Sequence, residues 1–195
     1  MESGKEIFLA SVRAICPHLT EDELLYFASR ISLKDLKRKD FFLQSGKVQK
    51  AIGFIARGLV RSFFIDAEGN EITVGFYAEG EYATHYPAFI TQKPSRYFIQ
   101  CLEPSTMACL SFEDMQHLYQ MHPGFENYGR QIAEQVLVKQ QNRIETFIFQ
   151  TAEERYLDFV KQQPKLFNRI SLSQLCSALG IGRQTVTRIR QKLAH

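Results

Sequence analysis

Apolar residues near the start of the chain recur at every third or fourth position. Ile7, Phe8, Val12 and Ile15 predict a helix that Pro17 stops, and Leu24, Phe27 and Ile31 predict a second. The run Thr20-Glu21-Asp22-Glu23 ahead of the second is a capping box, in which the Thr hydroxyl and the Glu carboxylate each take up a backbone N–H left unpaired at the helix start. From about Phe41 to Phe112 the texture changes to short β-type runs: Ile52–Ile55, Leu59–Ile65, Ile72–Tyr77, Tyr97–Leu102 and Thr106–Leu110. Asp66-Ala67-Glu68-Gly69-Asn70 separates two of them as a hairpin turn. Short strands at this even spacing predict an antiparallel barrel or sandwich.

A helical block follows from about Pro123 to Phe149, with Phe125, Tyr128, Ile132, Val136, Ile144 and Phe147 at compatible spacings. Val136-Leu137-Val138 puts apolar side chains on more than one face, so one face can pack on the barrel and another on a second subunit. A single long helix lying on its own domain satisfies the same periodicity. Thr151-Ala152-Glu153-Glu154 is a further capping box; Ala152, Tyr156 and Phe159 share one side of the helix it starts, and Pro164 ends it.

The most informative stretch runs from Ile170 to Leu193. Ser171 with Gln174 can cap a first helix striped by Leu172, Leu175 and Leu179. Gly180 sits where a tight inter-helix turn needs positive φ, and the small Cys176 where two helices come closest. Ile181, Val186, Ile189 and Leu193 supply the buried side of a second helix. Its other face carries Arg183, Gln184, Thr187, Arg188 and Gln191. Arg can form paired hydrogen bonds to guanine and Gln to adenine, and the first residues of such a helix reach into the major groove. An ordinary two-helix packing unit with a solvated polar face is the plainer alternative, disfavoured by the glycine turn and the lack of acidic residues.

Charge distribution adds to this picture. The net charge is only +3, but from Thr151 onward there are eight Lys/Arg against three Asp/Glu, and from Asn168 onward five basic residues and no acidic one. A basic module on a mildly acidic body is expected of a polyanion partner. Cys16, Cys101, Cys109 and Cys176 lie far apart and read as small buried hydrophobes in a reducing compartment. No apolar run is long enough to span a bilayer, and the N-terminus lacks the pattern of a signal peptide, so a cytoplasmic location without a membrane partner is expected. His18, His85, His117, His122 and His195 form no His-x-His pair, and no nucleophile-elbow, phosphate-loop or His-Glu-x-x-His motif is seen. An enzyme is therefore not expected, nor a metal site.

Gly180-Ile181-Gly182-Arg183-Gln184-Thr185-Val186-Thr187-Arg188-Ile189 is similar to the G-x-S-R-E-T-V-x-R-x pattern of the cyclic-AMP receptor protein/fumarate-nitrate regulator (Crp/Fnr) family. The resemblance covers nearly the whole chain. It implies an α+β fold: an antiparallel cyclic-nucleotide-binding-like β-roll with N-terminal helices over 1–123, a dimerisation helix over 124–149, and a helix-turn-helix DNA-binding domain over 150–195. By that match Arg183, Gln184 and Arg188 contact bases, with Thr185 and Ser173 on phosphates. Gln184 stands where the family usually has Glu, which should change the preferred half-site. The sequence ends at His195, directly after the recognition helix, so the family's β-hairpin wing is expected to be missing and dimerisation to matter more.

The resemblance also implies a ligand pocket, and there it is incomplete. The family's phosphate cassette joins Gly-Glu to a later Arg-Ser/Thr. Gly80-Glu81 matches the first half, whereas the second reads Pro94-Ser95-Arg96-Tyr97 and puts Ser95, not Arg96, at the arginine position. The loop between is long and rich in rings. Gln140 and Gln141 fall near where the long helix would meet a bound base. Cyclic AMP thus lacks its cation, and an empty, self-filled or otherwise liganded pocket is expected. The expected partners are double-stranded DNA, a second copy of the chain, RNA polymerase and a small-molecule effector. One competing class stays open: a ligand-sensing or protein-docking module whose helix-turn-helix does not bind DNA.

Overall fold

The computed structural model describes residues 3–193. The side chain of Leu193, expected on the buried side of the last helix, and the end of the chain at His195 lie outside the described residues. Helix α1 (Gly4–Ile15) opens with a capping box between Ser3 and Glu6, and α2 (Glu21–Arg30) with the expected one between Thr20 and Glu23. Eight strands follow: β1 (Ser32–Leu36), β2 (Phe41–Leu43), β3 (Ala51–Arg57), β4 (Val60–Ile65), β5 (Glu71–Tyr77), β6 (Tyr82–Ala83), β7 (Phe98–Cys101) and β8 (Ser105–Ser111). A short helix α3 (Tyr86–Thr91) lies between β6 and β7. The strands make two four-stranded sheets, ordered β1-β8-β3-β6 and β2-β7-β4-β5, and every recorded pairing is antiparallel.

Strand alternation explains where the core sits. On β3 and β8, Ile55, Met107 and Cys109 point between the sheets and meet Leu43, Val60 and Ile99 of the other sheet. Their neighbours Ile52, Phe54, Ala108 and Leu110 point outward and are covered by Phe8, Val12, Leu24 and Phe27 of α1 and α2. With both faces buried, β3 reads as a continuous apolar run. In the β4–β5 hairpin the Asp66 carboxylate accepts from the Glu68 and Asn70 amides, both at 2.9 Å.

Helix α4 (Phe112–Met121) leads into α5 (Pro123–Phe149), 27 residues long. The chain ends in α6 (Ala152–Gln162), a single turn α7 (Pro164–Phe167), α8 (Leu172–Leu179) and α9 (Arg183–Leu193). All four cysteines are free and buried, and burial raises the Cys109 thiol to about 11. No helix among the described residues is long and apolar enough to cross a membrane.

The helix-turn-helix does not hang free of the roll. Ser177 of α8 accepts from the Thr73 amide at 2.8 Å and donates to the Glu71 carbonyl at 2.9 Å, so one serine completes the exposed edge of β5. Arg143 of α5 donates to the carbonyls of Thr73 and Ala178, tying helix, strand and α8 together. Leu59 and Phe76 of the roll pack with Leu166 and Ala178 of the tail in one apolar cluster.

Candidate nucleic-acid interface and effector cavity

Helices α8 and α9 form a two-helix unit fixed by local chemistry. The Ser171–Gln174 capping box starts α8. Gly180 ends it at φ 62° and ψ 40°, the left-handed conformation that a Cβ would strain. A Cβ there would also lie 2.9 Å from the Phe147 ring, which carries the guanidinium groups of Arg143 and Arg155 5.0 and 5.1 Å from its centroid. Leu175, Cys176, Leu179, Val186 and Ile189 close the core of the unit on Tyr156 of α6. Leu172, expected within the apolar stripe, is 38% exposed, because it sits at the first position of α8 beyond the reach of that core.

Arg183, Gln184, Thr187, Arg188 and Gln191 lie exposed on one side of α9, with Thr185 half-buried and Ser173 exposed on the first turn of α8. The structure divides the tail's five last cations into two groups. Arg169 is spent on the roll: it donates to both oxygens of Glu79 at 2.8 and 2.9 Å and pairs with Glu103. That contact holds the Glu79 carboxyl down at about 2. Arg190 donates to the Tyr156 hydroxyl at 2.9 Å, and Lys192 pairs with Glu153 at 2.8 Å. The Arg183 and Arg188 side chains have no ion pair or hydrogen bond among the described residues. Periodicity already set Arg183 and Arg188 on the open face of the second helix; the fold adds the partners that engage Arg169, Arg190 and Lys192.

The long helix carries a second exposed feature. Ile132, Val136, Lys139 and Arg143 face the roll, while Leu137, Ile144 and Ile148 are 67%, 54% and 66% exposed. Leu137, Gln141, Ile144 and Ile148 follow a 4-3-4 spacing, the period of a seam between paired helices. Gln141 therefore lies on this outward stripe, where its amide donates to Glu145 at 3.0 Å, and not toward the roll.

A cavity of about 290 Å³ opens between the roll and α5. Gly80, Glu81 and Gln140 line it, as do Tyr77, Tyr82, Tyr86, Tyr97 and His85. Glu81 accepts from the Ala78 amide at 2.8 Å and forms an ion pair with Lys139. The Lys139 ammonium lies 4.5 Å from the centre of the Tyr77 ring. Burial raises the hydroxyls of Tyr77 and Tyr82 to about 12 and pushes the His85 imidazole down, so all three are neutral near pH 7. Ser95 is buried beneath the wall, bonded to His85 Nδ1 at 2.9 Å and to the Tyr97 backbone. Arg96 is exposed and contributes nothing to the lining. Of the six residues expected around a ligand, the fold thus brings three together and leaves Ser95, Arg96 and Gln141 outside. The Lys139 partner of Glu81 had no signal in the sequence, being an ordinary helix lysine until the helix docks. Among the described residues no group of three or more His, Cys, Asp or Glu is placed to hold a metal ion.

Residues 33–122 match the family model described as a cyclic nucleotide-binding domain. No curated protein matches the sequence significantly. Among solved structures, FixK2 from Bradyrhizobium japonicum is similar with a TM-score of 0.73 at 12% identity, covering 84% of each chain. The regulator CLP of Xanthomonas campestris, described as c-di-GMP responsive, gives 0.69 at 16% identity over 90% of this chain and 92% of its own. The catabolite activator protein of Thermus thermophilus gives 0.57 at 20% identity over 94% and 86%. The likeness extends through roll, long helix and tail, and it establishes a Crp/Fnr-type fold: a cyclic-nucleotide-binding-like β-roll, a long helix and a C-terminal helix-turn-helix.

Proposed function

We propose that the chain is a sequence-specific DNA-binding transcription regulator that acts as a homodimer, with the β-roll as its sensing half. The observation that carries this reading is the exposed face of α9, where Arg183 and Arg188 stand beside Gln184 and Thr187 with no side-chain partner among the described residues, while Arg169, Arg190 and Lys192 are bound internally. An unpaired guanidinium gives up only water when it meets a phosphate or a guanine edge, whereas a paired one must first break its own contact. Arg183, Gln184 and Arg188 read bases in this scheme, with Thr185 and Ser173 on phosphates.

The dimer forms through the Leu137–Ile148 stripe of α5. An apolar seam of this length is otherwise left in water, and pairing two copies would place two recognition helices on successive major grooves of a palindrome about 34 Å apart. RNA polymerase is the further partner expected of such a regulator once it is seated on DNA.

The test is a salt-titrated binding assay on genomic fragments retained by the purified protein. Arg183→Ala and Arg188→Ala are each expected to weaken specific binding by about 1–3 kcal/mol. Equal affinity in wild type and both variants would favour a protein-docking module instead.

A further inference from the structure

The family model matched by residues 33–122 is named for cyclic nucleotides, yet the cavity does not fit a cyclic phosphate. Such a ligand brings a permanent negative charge into a half-enclosed site, which is tolerable only beside an uncommitted cation. The buried position where an arginine would be expected is Ser95, hydrogen-bonded to a neutral His85. Arg96 faces solvent. Among the described residues Lys139 is the one cation in the lining, and Glu81 already neutralises it, while Arg143, one turn further along α5, is committed to the Thr73 and Ala178 carbonyls. A bound phosphate would therefore leave two anions sharing one ammonium.

What the cavity does offer is uncharged and directional. Four tyrosine rings and His85 make flat walls. Ser62 and Thr84 line it with hydroxyls on residues only 4% and 7% exposed, and the Thr84 Oγ1 has no hydrogen-bond partner among the described residues. An unpartnered hydroxyl at that depth is a group waiting for a donor or acceptor. Glu81 keeps lone pairs free beyond its two contacts, and Gln135 and Gln140 add amides from α5. About 290 Å³ is at the small end of cavities that hold a small molecule.

We propose that this cavity binds an uncharged, hydroxylated, ring-bearing molecule of nucleoside size, and selects it against the corresponding cyclic phosphate. The ring lies among the tyrosines, and its hydroxyls meet Glu81, Ser62 and Thr84. The inference rests on reading the β-roll as the sensing half, and it ties that sensing to α5, since Lys139 and Gln140 belong to the helix that would form the dimer.

Calorimetric titration of the full chain without DNA, using adenosine and guanosine against cyclic AMP and cyclic GMP, tests it. At least one nucleoside is expected to bind, about tenfold or more tightly than its cyclic phosphate. Equal or tighter binding of the cyclic phosphate overturns the proposal, and so does the failure of both nucleosides to bind at millimolar concentration. Glu81→Gln gives a second readout, because it removes the cavity's anion and leaves the Lys139 ammonium unpaired. The ratio of cyclic-phosphate to nucleoside affinity is then expected to rise about tenfold, and an unchanged ratio in the folded variant overturns the charge argument. Because DNA is absent, a failed titration leaves the DNA-binding reading standing, and failure of DNA binding leaves the titration interpretable.

Discussion

The outer face of α9 and the cavity beside α5 each present basic side chains, but they dispose of the charge in opposite ways. On α9, Arg183 and Arg188 are exposed and have no side-chain partner among the described residues. In the cavity, Lys139 is held against Glu81 and over the Tyr77 ring; of the guanidinium groups nearby, Arg143 is bonded to the Thr73 and Ala178 carbonyls and Arg96 is exposed. A count of cations would rate both places as anion sites. Pairing decides otherwise, because a charge already neutralised in the fold gains little from a second anion and must lose its first contact to meet it. The same distinction runs through the tail's last five cations: Arg169 is tied to the roll, Arg190 and Lys192 are tied to α6, and Arg183 and Arg188 have no such contact among the described residues.

The largest effect should come from the seam that makes two recognition faces act together. Leu137→Glu combined with Ile144→Glu places carboxylates in the outward stripe of α5. Sedimentation should then show a monomer, and binding to a palindromic site should fall by about 10²-fold or more as the second half-site is lost. A dimer that survives both changes would move the interface elsewhere.

Next in size is the contrast between untied and tied cations. Against the losses expected for Arg183→Ala and Arg188→Ala, Lys192→Ala should leave specific DNA affinity within about 0.5 kcal/mol of wild type, since its ammonium is committed to Glu153. Equal losses in all three variants would erase the distinction.

Gly180→Ala probes the turn that presents α9. The left-handed φ and the Phe147 ring at 2.9 Å from a new Cβ should cost about 1–3 kcal/mol of stability in thermal or denaturant unfolding. Gly182→Ala, whose Cβ would meet nothing nearer than Thr185 at 3.9 Å, is the control and should change stability little.

The smallest effect is the acid dependence of the tail–roll contact. Arg169 lowers the Glu79 carboxyl from its ordinary 4.5 to about 2, so the contact is fully present above 4.5 and lost as the pH falls toward 2. Part of the pair is exposed and solvent screens it, so the change should be modest. Thermal midpoints measured across that window should slope less in Arg169→Ala than in wild type, and parallel curves would remove the ion pair from the account.

Much of this architecture is legible in the sequence. The Thr20, Thr151 and Ser171 capping boxes, the Asp66–Asn70 hairpin, the extent of the long helix and the glycine turn all depend on contacts within a few residues. The elements that escaped had no such signal. Strand β1 is exposed along four of its five residues and is held at the sheet edge by pairing with β8, so it shows no apolar alternation. Strand β6 has two residues and α3 six, too short for a period to appear. Ser177 looked like filler within α8 until the fold laid it against the edge of β5.

The sequence by itself determined the order of elements and the residue types on the face of α9, because helices, caps and turns are decided by interactions among near neighbours in the chain. Tertiary structure decided which charges remain available. The partners that neutralise Arg169 lie 66 and 90 residues away, and Glu81 is 58 residues from Lys139. Whether such groups meet depends on how sheets and helices pack. That packing is a property of the whole chain, carried by no local stretch of it.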